Sequence, residues 1–204
     1  MSDEASDLVQ RADAGDSDAL GELLERSWDR LIKIVSFRMD SRLRSRVDAS
    51  VVVQDAFVEA TKRISQEKRN AEIPFFLWLR MVTLQKLADV HRHHLGVKAR
   101  AAGREVAMFT GSLPQATSAV IAAQLLGKLT SPSHAAMRIE TQLRIEETLN
   151  SMDEADREVL ALRFFEMLSN QETARVLDIN ESTASNRSVS YTHLTLPTNR
   201  VAGG

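Results

Sequence analysis

The chain contains no cysteine among its 204 residues, which excludes a disulfide framework and any chemistry that runs through a thiolate. Proline and glycine are scarce, at 4 and 8 residues. With few turn-forming residues and a bias toward Leu, Ala, Arg and Glu, the composition predicts an all-α chain. No apolar run approaches the roughly 20 residues needed to span a bilayer. The N-terminal stretch MSDEASDLVQ is acidic and lacks the basic-then-apolar order of a secretory signal, so the cytoplasm is the default compartment. A Gly-rich phosphate loop, a G-x-S-x-G elbow and an HExxH pair are also missing. Nothing organises catalysis, and an enzyme is not expected.

What remains is a globular composition, 43% hydrophobic and 26% charged, with a net charge of −2. That small net charge hides an uneven distribution. From Arg80 to Arg104 the bases Arg80, Lys86, Arg92, Lys98, Arg100 and Arg104, with three histidines, face only Asp89. From Glu140 to Glu181 the acids outnumber the bases. A local basic stretch of this kind is either a polyanion contact or a solvated face.

Periodicity divides the chain. Leu8 to Phe37 carries Leu20, Leu23, Leu24, Trp28, Leu31, Ile32 and Val35 at helical spacing. A break at Ala14-Gly15-Asp16 predicts two helices, the second starting near Ser17 or Asp18. RMDSRLRSRVDAS reads as a connector, and Asp48 as the N-cap of a helix through VVVQDAFVEATKRI. Residues 70–74 break that helix, and from Pro74 the run FFLWLRMVTLQKLADVHRHHLG predicts a long helix ending near Gly96. Residues 106–135 are dominated by Ser, Thr, Ala, Gly and Pro, with one short apolar patch at Val120 to Leu126, and read as a flexible linker. Helical periodicity returns at Met137 and lasts to about Arg187. Two small helical domains on a flexible tether are expected, 1–105 and 136–188.

The second domain carries the clearest pattern. After a helix capped near Asp153, with Val159, Leu160, Leu162, Phe164 and Phe165 as its apolar residues, Ser169 and Glu172 form a capping box, S-N-Q-E. It opens a short helix through Val176 and Leu177. A tight turn near Asp178 and a cap at Asn180 lead into ESTASNR, with Ala174, Val176, Ile179 and Ala184 in the angle. This is the layout of a helix-turn-helix, whose second helix must offer small polar and basic side chains to a DNA groove. Ser182, Thr183, Ser185, Asn186 and Arg187 suit that role. Periodicity alone fits an ordinary helical hairpin as well.

LSNQETARVLDINESTASNR resembles the fourth conserved region of bacterial RNA polymerase sigma factors, most closely the small two-domain extracytoplasmic-function (ECF) group. AGDSDALGELLERSWDRLIKIV, VDASVVVQDAFVEATKRI and PFFLWLRMVTLQKLADVHRHHLG together resemble the second conserved region, in the family's order. The matches cover most of Ser6 to Arg187. The resemblance implies a transcription initiation factor that joins core RNA polymerase, grips the −10 and −35 promoter elements and nucleates strand opening. A stand-alone helix-turn-helix regulator that never joins polymerase is the alternative.

Residue by residue, the resemblance implies that Asp48, Gln54, Asp55 and Glu59 bind the clamp coiled coil of the polymerase, with Val52, Phe57 and Val58 available for the core. Val51 departs from the subgroup pattern, which has Asp there, and either removes a polar contact or adds an apolar one. Arg80, Gln85, Lys86, His91 and Arg92 fall where family members face −10 DNA, and His93 and His94 extend that basic end. Phe75, Phe76 and Trp78 read more readily as core. His91 and His94 share a helical face, but no carboxylate constellation sits beside them and no metal site is expected. The implied partners are core polymerase, through its clamp and flap, and promoter DNA, with no cofactor and no membrane; whether an anti-sigma factor controls the chain stays open.

The resemblance fails at Ser188, where the family's basic helix continues for several turns. Residues 189–204 read as a non-native tail. Val189 to Thr198 can be encoded by GTC TCT TAT ACA CAT CTG ACG CTG CCG ACG, which resembles the inverted end of a transposase adapter used for sequencing libraries. Pro197 bars a helix there. Without the basic extension, the second domain is expected to fold marginally and to bind −35 DNA poorly. Asp178 stands where the family turn commonly has Gly, at a modest conformational cost.

Overall fold

The computed structural model describes residues 2–66, 69–95, 117–129 and 135–192. The regular structure of these residues is all helical, joined by turns and short connectors, with no strand among them. They fall into two compact units, 1–115 and 116–204.

Among the described residues the first unit has four helices: α1 (Ser2–Asp13), α2 (Ser17–Arg38), α3 (Ala49–Gln66) and α4 (Phe75–Leu95). The break between α1 and α2 is where the sequence places it. Gly15 sits at φ 96°, a conformation only glycine adopts cheaply. Asp16 then caps α2, with Oδ1 accepting from the backbone N–H groups of Asp18 and Ala19 at 3.0 and 3.1 Å. The core joins Leu20, Leu24, Leu31 and Val35 of α2 to Val52, Val53, Ala56 and Ala60 of α3 and Leu79, Val82, Leu84 and Leu87 of α4. Buried Arg69 ties the approach to α4 onto α1: its Nη2 and Nε donate to Asp13 at 2.7 and 3.0 Å, and its Nη1 to the carbonyls of Asn70 and Ile73.

α4 is enclosed on every side at mid-length, since residues 77–84 are all buried. That is the pattern of a central helix. Phe75 and Trp78 pack in the core with ring centroids 5.7 Å apart, and the Arg30 guanidinium lies 3.7 Å over half-buried Phe76.

The second unit contains α5 (Ser118–Leu129), α6 (Ala135–Ser151), α7 (Glu154–Leu160), a π turn at Ala161–Phe165, α8 (Asn170–Leu177) and α9 (Glu181–Thr192). Helix α5 lies inside the stretch expected to be linker. The apolar patch at 120–126 is its buried side, with Ile121, Ala122 and Leu126 inside, and α5 packs along α6. Val159 and Leu160 of α7 are buried; the wider π turn then shifts the helical register, with Leu162 buried and Phe164 turned outward. The capping box forms as predicted, Ser169 Oγ accepting from Glu172 N–H at 3.1 Å and Glu172 Oε2 from Ser169 N–H at 2.7 Å. Asp178 takes the left-handed turn, φ 53° and ψ 47°. Helix α9 runs to Thr192, beyond the point at Ser188 where the resemblance ends; residues 193–204, including Pro197, lie outside the described residues.

Candidate functional site

On α3 the inward residues are Val52, Val53, Ala56 and Ala60. The opposite face carries Val51, Gln54, Asp55 and Val58, spaced three and four apart so that they form one row. Val51 is 49% and Val58 55% exposed. Val58 therefore does not serve the core as expected, whereas Val52 is buried and Phe57 is half-buried, 5.5 Å from Trp28 in an edge-on contact. Asp48 caps the helix: its Oδ1 accepts from Ser50 N–H at 2.8 Å, and that bond holds its carboxyl below the usual carboxylate range.

Glu59 behaves differently from the other three expected polymerase contacts. It accepts from Arg63 Nε at 3.0 Å and pairs with Lys86 of α4 at 3.2 Å. Arg63, then Lys86, hold its carboxyl below its ordinary value. Arg63 also donates from Nη1 to Oε1 of Gln85 at 2.9 Å. Thus Glu59 and Arg63 on α3 and Gln85 and Lys86 on α4 form one network. Arg63 is not among the residues expected from sequence, although E-x-x-x-R at 59–63 is an ion-pair spacing on a helix.

The residues expected to face −10 DNA separate into two groups. Arg80 is 1% exposed, inside the enclosed stretch of α4, and a guanidinium there does not reach a phosphate or base; its assignment is corrected to the interior. Gln85, Lys86, His91 and Arg92 lie further along, where α4 emerges from the core. His91 Nε2 accepts from the backbone N–H of Asp40 at 3.3 Å. Burial pushes the imidazole below its ordinary pKa, with Asp40 opposing and Arg42 adding to that shift. Arg42 holds the Asp40 carboxyl at about 2. Arg92 is exposed and pairs with Asp89. The rings of His93 and His94 meet edge-on with centroids at 4.8 Å. Among the described residues there is no cluster of three or more His, Cys, Asp or Glu able to hold a metal.

In the second unit, Thr173, Ala174, Val176 and Ala184 are buried between and beneath α8 and α9. Burial of Ala184 and Ser188 defines the inward side of α9 and leaves Ser182 and Asn186 exposed, with Thr183 and Ser185 half-buried at the flanks. Arg187 Nε lies 3.4 Å from Asp156 of α7, so the one base of Glu181–Thr192 is shared with an acid in its own unit.

The first unit thus presents two separate surface faces, the outer side of α3 and the emergent end of α4, and the second unit pairs α8 with α9 across the left-handed turn at Asp178. The ECF sigma factor family model matches residues 2–191. The chain is 30% identical over 167 residues to the ECF RNA polymerase sigma factor SigD of Mycobacterium tuberculosis, a match covering 82% of this chain and 70% of that protein. It is 24% identical over 187 residues to the RNA polymerase sigma-H factor of Pseudomonas aeruginosa, covering 88% and 86%. The solved structure of CnrH in complex with the cytosolic domain of CnrY is similar at 22% identity and a TM-score of 0.49 over 92% of each chain. The chain belongs to the ECF sigma factor family, transcription initiation factors that direct RNA polymerase to promoters. Among the described residues, no helix is long and apolar enough to cross a membrane.

Proposed function

We propose that this chain joins core polymerase through the outer face of α3 and meets the −10 element through the emergent end of α4. Its site of work is then the cytoplasm, and its role is binding rather than catalysis. The observation that carries the reading is the row Asp48, Val51, Gln54, Asp55 and Val58: a charged and amide surface with two half-exposed valines, on a helix whose other side is fully committed to the core. Such a face suits a basic helical partner, combining charge-assisted hydrogen bonds with apolar burial.

Strand opening without ATP requires the protein to bind single strands better than duplex. On α4, Phe75 and Trp78 are taken up by the core and Phe76 is covered by Arg30. The preference for unpaired bases therefore comes from hydrogen bonds and charge on Gln85, Lys86, His91 and Arg92 rather than from stacking on the aromatic residues of that helix. Helix α9 would read −35 DNA through Ser182, Thr183, Ser185 and Asn186, with little phosphate attraction, because its single base is paired with Asp156.

The test uses the full chain. It should bind core polymerase without DNA, and the mixture should prefer single-stranded −10 oligonucleotides to the same duplex. Binding to duplex alone with no affinity for core polymerase would overturn the reading in favour of a stand-alone regulator.

A further inference from the structure

Gln85 stands on the part of α4 assigned above to DNA, and one side of its carboxamide is already committed. Arg63 Nη1 donates to Gln85 Oε1 at 2.9 Å, while Arg63 Nε donates to Glu59 Oε1 at 3.0 Å. Glu59 also holds Lys86 at 3.2 Å. A guanidinium has five donors and no acceptor, so the Gln85 atom that faces it has to be the carbonyl oxygen. Glu59 fixes Arg63 from the other side, and the pairing keeps the guanidinium from swinging away. The carboxamide NH2 of Gln85 is left for a ligand; among the described residues it has no partner within the chain.

We propose that Arg63 is a positioning residue for base recognition. By drawing the Gln85 oxygen toward α3, it presents a donor-only contact point on α4. Such a point selects an unpaired base whose edge offers acceptors, guanine O6 and N7 or thymine O4. It discriminates against adenine, whose bidentate pairing with glutamine needs the oxygen and nitrogen side by side. This inference rests on the DNA-facing role of α4 proposed above.

The experiment measures binding of the full chain with core polymerase to single-stranded oligonucleotides carrying each base in turn across a −10 element. The wild-type chain and Arg63→Lys, which keeps a donor toward Gln85, should favour guanine or thymine over adenine at one position by about fivefold, the scale of one hydrogen bond. In Arg63→Met the carboxamide is free to turn, and that ratio should fall below about twofold while affinity for a mixed-sequence strand holds. Gln85→Glu removes the donors and should shift preference toward the amino edges of adenine or cytosine. An unchanged ratio in Arg63→Met, or a preference that survives Gln85→Ala, overturns the proposal while leaving the role of α4 intact. If the complex shows no preference for single strands over duplex, the role of α4 falls, and this proposal with it.

Discussion

Replacing Val51 and Val58 together by serine isolates the outer face of α3 from everything beneath it. Fully burying a valine is worth about 1.5–3 kcal/mol, so covering the exposed half of each recovers about 1 kcal/mol, and the pair about 2 kcal/mol. Both residues are about half exposed, at 49% and 55%, so the free protein loses little when they change. Serine and valine also have similar helix propensity, and the double variant should unfold within ~0.5 kcal/mol of the parent. The cost should appear in the complex alone, as a dissociation constant for core polymerase raised roughly thirtyfold. Titration of labelled full chain with core enzyme measures the first quantity. Urea unfolding followed by tryptophan fluorescence measures the second, since both tryptophans, Trp28 and Trp78, lie in the first unit. Val52→Ser supplies the contrast: the same chemistry one residue away, at a buried position, should destabilise the fold itself. A double variant that keeps its stability and binds core enzyme within about threefold of the parent, a change under ~1 kcal/mol, would show that this face is not the polymerase contact.

Arg69→Ala should destabilise the first unit by about 3 kcal/mol, because it breaks a largely buried bidentate pair with Asp13 and strips two carbonyls of a donor; tryptophan-detected urea unfolding reads the loss. The folded-state pKa of His91 lies below its ordinary value. The unfolded chain therefore takes up a proton more readily, and stability is lost as pH falls from about 6.5 through the lowered folded value. His91→Asn should lose less stability between pH 7.5 and 5.5 than the parent, and an equal loss would rule His91 out as the cause. Met167 is 71% exposed at φ 58°, so Met167→Gly should relieve left-handed strain and stabilise by roughly 0.5–1 kcal/mol, seen as slower hydrogen exchange of α8 amides. Replacing residues 189–204 with a basic, apolar-striped helix should raise affinity for −35 duplex DNA and steepen its salt dependence by about 0.9 for each additional phosphate neutralised. An unchanged salt slope would mean that α9 does not lie along DNA.

The features that local chemistry decides were legible in the sequence. Gly15 and Asp16 separate α1 from α2, Asp48 opens α3, and Ser169 with Glu172 opens α8, each through a bond made within a few residues of itself. The exposure of Val58 was legible too, and was misassigned. At about 100° per residue it stands about 200° from buried Ala56, so the helical period alone sends it outward. Arg80 is a different case. Its charge argues for solvent, and its interior position depends on how much of α4 is covered at mid-length, which no spacing within α4 records. Helix α5 was obscured by its flanks, because a dozen residues with a short apolar patch carry less periodic signal than the Ser-, Thr- and Pro-rich composition around them. The Glu59–Arg63–Gln85–Lys86 network combines both situations: its first pair is an i,i+4 spacing visible on α3, but its extension to α4 exists only once the two helices pack. That packing joins residues that family resemblance assigns to two partners, polymerase for Glu59 and DNA for Gln85 and Lys86. Both carboxylate oxygens of Glu59 are already engaged, Oε1 by Arg63 and Oε2 by Lys86, whereas Gln54 and Asp55 stand exposed. The polymerase contact should therefore rest on the row from Asp48 to Val58, with Glu59 acting inward to set the face that α4 presents.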